Sequence, residues 1–361
     1  MEKVGFALLH QFMVAILMKC NVPKKDAEIC AEVLLESDKR GIDSHGVNRF
    51  KSIYIDRINR EILDPVTKME IVKNFKATAV IDGHDGMGMV ISKKAMEMAI
   101  NKAKEYGIGM VTVRNSSHYG IAGYYATMAT DEDLIGLTGT NARPSIAPTF
   151  GVENMLGTNP LTVGFPSNDP FPFVLDAATS ITQRGKIEFY AKNNMETPKG
   201  MVIDRDGEDL TDSEAILTML KNGDASLNPL GGKGETLAGY KGYGYATIVE
   251  VLSSALQMGN FMKQVTEKDD DGQSRPYSLG HFFIAIDPEA FMGKKEFKKI
   301  VSEILSQLRN SKKSKGETRI YTAGEKEYIA RKDRSEGLVL NQALKDEFNA
   351  LAKKYEVNYE F

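Results

Sequence analysis

The apolar pattern changes period twice along this 361-residue chain, and that change limits the fold it can adopt. Up to residue 75 the apolar positions repeat at helical spacing. Phe6, Leu9, Met13, Ile16 and Leu17 form one run, Ala27, Cys30, Val33 and Leu34 a second, and Phe50, Ile53, Tyr54 and Ile58 a third. Asn21 is placed to cap the second. From residue 76 short strand-like runs take over, at 77–81, 109–113, 134–140, 161–165, 173–176 and 281–287. Amphipathic stretches at 90–106, 123–128, 184–193 and 243–257 separate them, and helical spacing returns at 294–310 and 340–355. The pattern predicts a helical portion built from the chain ends, 1–75 with 295–361, around an α/β portion over 76–294.

Composition narrows the function class. A net charge of −3, with 42% hydrophobic and 26% charged residues, is that of an ordinary globular chain and argues against a nucleic-acid or membrane-surface binder. Two cysteines, Cys20 and Cys30, both in helical patterns, read as small buried apolar residues in a reducing compartment. The apolar stretch 5–18 is interrupted by His10 and Gln11 and lacks a small-residue cleavage site, so it reads as a core helix, not a leader. No apolar run has transmembrane length. The expected location is the cytoplasm. Residues 266–275, polar and acidic, read as a surface loop.

The usual dinucleotide signature, G-x-G-x-x-G between a strand and a helix, is absent. Gly107-x-Gly109 leads into a strand, Gly242-x-Gly244 has Thr247 in the third glycine position, and Gly86-x-Gly88 lacks the third. A Rossmann fold is therefore disfavoured. No Walker loop and no Gly-x-Ser-x-Gly elbow occur. The five histidines are scattered, without metal-ligand spacing, so no metal is expected.

Two histidines stand out by context. In Asp43-Ser44-His45-Gly46-Val47-Asn48-Arg49, Ser44 is placed to cap a helix, which sets His45 and Arg49 at i and i+4 on one face. A proton-transfer group beside a guanidinium suits a small carboxylate substrate. On these seven residues alone, a solvated helix start with an incidental histidine is the simpler reading. His118 follows a buried strand in a Ser/Gly turn, where active-site groups often sit. Asp176 closes a strand; it is read either as a turn former or as a carboxylate that orients a histidine.

Seven short blocks then occur in a fixed order. They are Asp43-Ser44-His45-Gly46-Val47, Ser117-His118-Tyr119-Gly120, Gly157-Thr158-Asn159-Pro160, Leu175-Asp176-Ala177-Ala178, Pro229-Leu230-Gly231-Gly232, Tyr240-Lys241-Gly242-Tyr243-Gly244 and the 281–287 run. This series resembles the non-Rossmann malate/L-lactate dehydrogenase family over nearly the whole chain. The resemblance implies an α/β fold with a mixed, largely antiparallel sheet. It implies reversible hydride transfer between NAD or NADP and a 2-hydroxy or 2-oxo acid, malate being favoured, in a homodimer. It assigns Ser44 and Arg49 to substrate binding, and His45, His118 and Asp176 to catalysis, with Asp176 orienting His45. Either histidine is the proton-transfer residue in different members. The cofactor contacts it implies are Asn141, Ala142, Asp176, Ala177, Ala178, Thr179, Lys233, His281, Phe282, Gly324 and Glu325. Two departures stand out. Ala323 replaces a family proline before Gly324-Glu325, and Ile53 holds the spacing of a family tyrosine, with Tyr54 next to it.

Overall fold

The computed structural model describes residues 3–269 and 271–361. Helix α1 (Phe6–Lys19) buries Leu9, Phe12, Met13, Ile16 and Leu17 against α2 (Lys24–Lys39), as the first two periodic runs predict. The turn between them differs from expectation. Pro23, not Asn21, occupies the N-cap, and Asn21 takes a left-handed conformation (φ 67°), which asparagine tolerates better than most residues.

The third periodic run is not a regular helix. It is a 3-10 turn (Val47–Arg49), a π-turn (Phe50–Ile55) and one α-turn, α3 (Asp56–Asn59). The helical reading of 1–75 also stops short, because Glu70–Phe75 is strand β1, exposed along its whole length. It pairs antiparallel with β2 (Thr78–Asp82). Then come α4 (Gly88–Tyr106), β3 (Ile108–Ser116), α5 (Ala122–Thr130), β4 (Ile135–Thr140), β5 (Leu161–Phe165) and β6 (Phe173–Ala177). A smaller unit follows: α6 (Arg184–Lys192), β7 (Val202–Ile203), α7 (Ser213–Asn222) and β8 (Ser226–Leu227). The chain closes with α8 (Gly239–Leu252), β9 (Leu279–Ile286), α9 (Lys294–Asn310), α10 (Glu325–Asp333) and α11 (Gln342–Lys354).

Seven strands form one sheet in the order β1-β2-β3-β9-β4-β5-β6. Only the β2–β3 pair is parallel, so the sheet is mixed and largely antiparallel. The last strand, β9, lies in the middle, and its Leu279–Phe283 stretch is wholly buried, as a continuous apolar run in a central strand requires. Helix α4 lies across β3 and β9, and α5 across β4 and β5. The main core joins this layer to α1 and α2 and to α11, whose Phe348 ring centre lies 5.0 Å from that of Phe12. A second, smaller core of Ile146, Leu156, Ile187, Val202, Ile216 and Leu227 holds the unit around β7 and β8. Among the described residues no helix is long and apolar enough to cross a membrane.

Candidate active site

Asp38, in the last turn of α2, shapes the segment that carries His45. It is fully buried, and its Oδ2 accepts the Val47 N–H at 2.8 Å. Gly46 passes so close that a Cβ there would overlap Asp38 Oδ1. Burial pushes the Asp38 carboxyl up to about 7, against the pull of the Val47 hydrogen bond. Arg334, just beyond α10, donates to the Asp38 carbonyl at 2.7 Å and pairs with Asp43. The segment is thus tied at both ends by tertiary contacts, and Ser44 does not cap a helix. Its Oγ lies 2.9 Å from His45 Nδ1, and its carbonyl accepts from Arg49 Nε at 2.6 Å. The terminal nitrogens of Arg49 have no carboxylate partner among the described residues. They are available as a fork for an acid.

Strand β3 delivers His118 to the same place. The two imidazoles lie nearly parallel, 18° apart, with ring centres separated by 5.9 Å. These are the two histidines singled out in the sequence, with Arg49 on the His45 segment; the sequence reading assigns Tyr54 no role. The Tyr54 hydroxyl lies 2.7 Å from His118 Nδ1, and the Gly120 N–H also points at Nδ1, at 3.3 Å. Two donors on Nδ1 leave the proton of the neutral ring on Nε2. Burial holds the Tyr54 hydroxyl far above its ordinary value, so it stays protonated as that donor. Burial also holds the His118 pKa well below normal, with the charges on His45, Arg57 and Arg49 adding to the effect. His45 is lowered by burial and by Arg49, while Asp176 opposes the shift. Both imidazoles are therefore neutral at neutral pH. His118 presents an Nε2–H donor. If His45 gives its Nδ1–H to Ser44, it presents an Nε2 lone pair.

Asp176, in β6, does not orient His45 by contact. Its oxygens accept from Thr162 Oγ1 at 2.9 Å and from the Gly123 N–H at 2.7 Å, at the start of α5. Its influence on His45 is the through-space charge just described. A strand-end carboxylate goes to whichever donors the fold brings to it, and here those come from β5 and α5.

The residues expected at the cofactor divide into two sets. Asn141, Thr179, His281, Phe282 and Glu325 are buried. Asn141 donates to the Asn260 carbonyl and accepts from the Gly280 N–H. Thr179 Oγ1 donates to the Asn159 carbonyl, the His281 ring stacks on Tyr119 at 4.6 Å, and Glu325 pairs with Arg319. Their side chains are engaged within the protein. Ala142, Ala177, Ala178 and Gly324 are half-buried and Lys233 is exposed. The 177–181 segment runs beside the 229–232 turn: Ser180 bridges to Pro229, Leu230 N–H donates to the Thr179 carbonyl, and Ile181 lies against Gly232. Lys233 projects from the end of that turn, with its nearest acid, Asp209, 4.0 Å away. Close by, Ser180 Oγ and Thr182 Oγ1 are buried without a protein partner. A polar ligand with anionic groups fits that combination.

A groove of about 890 Å3 lies between α2, α4, α5 and α10, passing Asp176 and Gly324. Carboxylates outnumber cations along its wall, Glu32, Glu36, Glu97 and Asp131 among them, so it disfavours a diphosphate. Among the described residues no cluster of metal-ligating side chains occurs.

A family model described as malate/L-lactate dehydrogenase matches residues 4–349. The chain belongs to the malate/L-lactate dehydrogenase family. Among its relatives, a malate dehydrogenase of Pyrococcus horikoshii is 41% identical over 97% of this chain and 94% of its own length. An L-sulfolactate dehydrogenase of Methanocaldococcus jannaschii is 38% identical over 97% of this chain and 96% of its own. The solved structure of a malate dehydrogenase from Entamoeba histolytica superposes with a TM-score of 0.95 at 42% identity, covering 100% of this chain and 99% of that one. Malate/L-lactate dehydrogenase family members are hydroxyacid dehydrogenases that work with a pyridine nucleotide, and the sheet described above is their non-Rossmann fold.

Proposed function

We propose that this protein interconverts malate and oxaloacetate with NAD or NADP. The observation that carries this reading is the neutral pair His45 and His118 beside an Arg49 fork with no acid partner. The likeness to malate dehydrogenases at 41% and 42% identity supports malate over the other acids.

Arg49 holds the substrate carboxylate through its two free terminal nitrogens. His118 donates its Nε2–H to the oxygen on the carbon that reacts, and Tyr54 keeps the ring in that tautomer. His45 takes the hydroxyl proton at Nε2 during oxidation and returns it during reduction. Ser44 fixes the ring through Nδ1. The charge of Asp176, without touching the ring, favours the imidazolium that forms. Residues 177–182 and Lys233 would hold the pyridine nucleotide, which would supply or accept the hydride when bound. Ala142 is proposed to border it, while Asn141, Thr179, His281 and Phe282 shape its walls from within; Gly324, and Glu325 next to it, lie by the acidic groove instead.

The test is steady-state kinetics of the purified protein with a panel of 2-oxo acids and both reduced cofactors. Oxaloacetate should give the highest kcat/KM. His45→Gln should lower kcat by roughly 10²–10⁴-fold, the usual contribution of a general acid–base group, with cofactor Kd unchanged by fluorescence titration. A near-normal kcat would transfer the proton role to His118, and no turnover with any acid would overturn the reading.

A further inference from the structure

Two guanidiniums, not one, bear on the His118 ring, and resemblance assigned a role only to Arg49. Arg57 lies on α3, three residues beyond Tyr54 and so on the same side of the chain as the hydroxyl that reaches His118. Its guanidinium carbon is 4.5 Å from the centre of the Tyr277 ring, which holds it in place by a cation–π contact. Two neighbouring cations are paired: Lys51 with Asp56 at 2.9 Å and Arg60 with Glu267 at 3.3 Å. Arg57 is half-buried and, among the described residues, has no carboxylate within pairing distance. Among the permanently charged groups, Arg57 has the largest influence holding the His118 ring neutral.

Two unpaired guanidiniums around two neutral imidazoles leave the site with uncompensated positive charge. Partly desolvated cations of this kind are costly unless an anion meets them. A monoacid substrate brings one negative group, and the Arg49 fork takes it. Arg57 then still lacks a counterion. A 2-oxo acid with a second acid group at its far end supplies one.

We infer that Arg57, laid on the Tyr277 ring, is a specificity-determining residue that pairs with the second anionic group, carboxylate or sulfonate, of a dianionic substrate. This rests on the reading of the site as a 2-oxo acid dehydrogenase. It makes the preference for a diacid a property of one side chain outside the His45 segment.

The experiment compares oxaloacetate with pyruvate in the wild type, Arg57→Gln and Arg57→Lys, recording kcat/KM for each and the thermal midpoint of each variant. The ratio of kcat/KM for oxaloacetate over pyruvate should fall at least tenfold in Arg57→Gln and recover in part in Arg57→Lys, which keeps the charge but not the fork. An equal loss on both acids, or an unchanged ratio, overturns the assignment, and so does a wild type that prefers pyruvate. If Arg57→Gln fails to fold, an Arg57→Lys ratio equal to the wild type overturns it too. A wild type that reduces neither acid with NADH or NADPH instead removes the dehydrogenase reading itself, so the two failures are distinct.

Discussion

His45 and His118 are both held neutral, and that fixes what each can do at the start of a turnover. Burial and the Arg49 charge keep the His45 pKa below the ordinary 6.5. In oxidation the unprotonated ring is the competent one. The plot of kcat/KM against pH should therefore stay level from neutral pH down to 6.5 and fall only below it. In reduction the protonated ring is needed, so kcat/KM should decline as pH rises through the same point. A limb centred above pH 7 in the oxidation profile would exclude a His45 whose pKa is lowered by burial. At this scale the sequence singles out Ser44, His45, Arg49 and His118, and the fold brings these four side chains near one another. It did not show Tyr54, because a fully buried tyrosine in an apolar stripe reads as core. Tyr54 is core and also the donor that sets the His118 tautomer. Asp176 was misread in its contacts because partner choice at a strand end depends on which helix arrives there.

The segment between α2 and α3 shows where periodicity stops being informative. Apolar spacing places Phe50 and Tyr54 inward, as they are, but it leaves out the buried Ile55, counts the half-buried Ile53 and Ile58, and does not distinguish an α-helix from a 3-10 turn followed by a π-turn. That choice is made by Asp38, which caps Val47 from a different element, and by the close passage of Gly46. π-turns of this kind are frequent at functional sites. The clamp has a thermodynamic cost with a definite sign. The unfolded Asp38 carboxyl gives up its proton near 3.8 and the folded one near 7. The native state therefore binds more protons over that window, and stability is lost as pH rises through it. At ~1.4 kcal/mol per pKa unit, the loss reaches roughly 4 kcal/mol above pH 7. Asp38→Asn keeps an acceptor for Val47 but carries no charge. In urea unfolding, the stability of Asp38→Asn relative to wild type should rise by about 2–4 kcal/mol between pH 4 and pH 8. A constant difference across that range would mean that Asp38 titrates as an ordinary carboxyl.

For the whole molecule, the sequence predicted a helical portion from the chain ends and an α/β middle, but not that β9 inserts between β3 and β4. Strand order is decided by long-range pairing, and local periodicity does not encode it; the unbroken apolar run at 282–286 is the one local sign of a central strand. The missing glycine signature has the same root: without a phosphate loop after a first strand, the proposed cofactor contacts fall on distant segments that only the folded chain brings together. Apolar surface left over after folding bears on the proposed homodimer. Helix α8 exposes about half of Tyr245, Ile248 and Val251, and Leu256 and Met258 extend the patch. Its other side carries Glu250, which accepts from Asn159 Nδ2 at 2.7 Å, and Gly239 at its start packs on the 231–232 turn before Lys233. A second exposed stripe, Ile300, Ile304 and Leu308, runs along α9, whose contacts lie on the edge of the sheet at Asn168 and Asp169. Patches of this kind mark association surfaces. Burying α8 against a second copy would also brace the turn that presents Lys233, which makes it the better candidate of the two. In sedimentation experiments the wild type should run at twice the chain mass. Ile248→Glu should run as a monomer with weakened NADH or NADPH binding, while Ile304→Glu should remain a dimer. Dissociation by Ile304→Glu alone would move the interface to α9, and a monomeric wild type would remove the homodimer altogether.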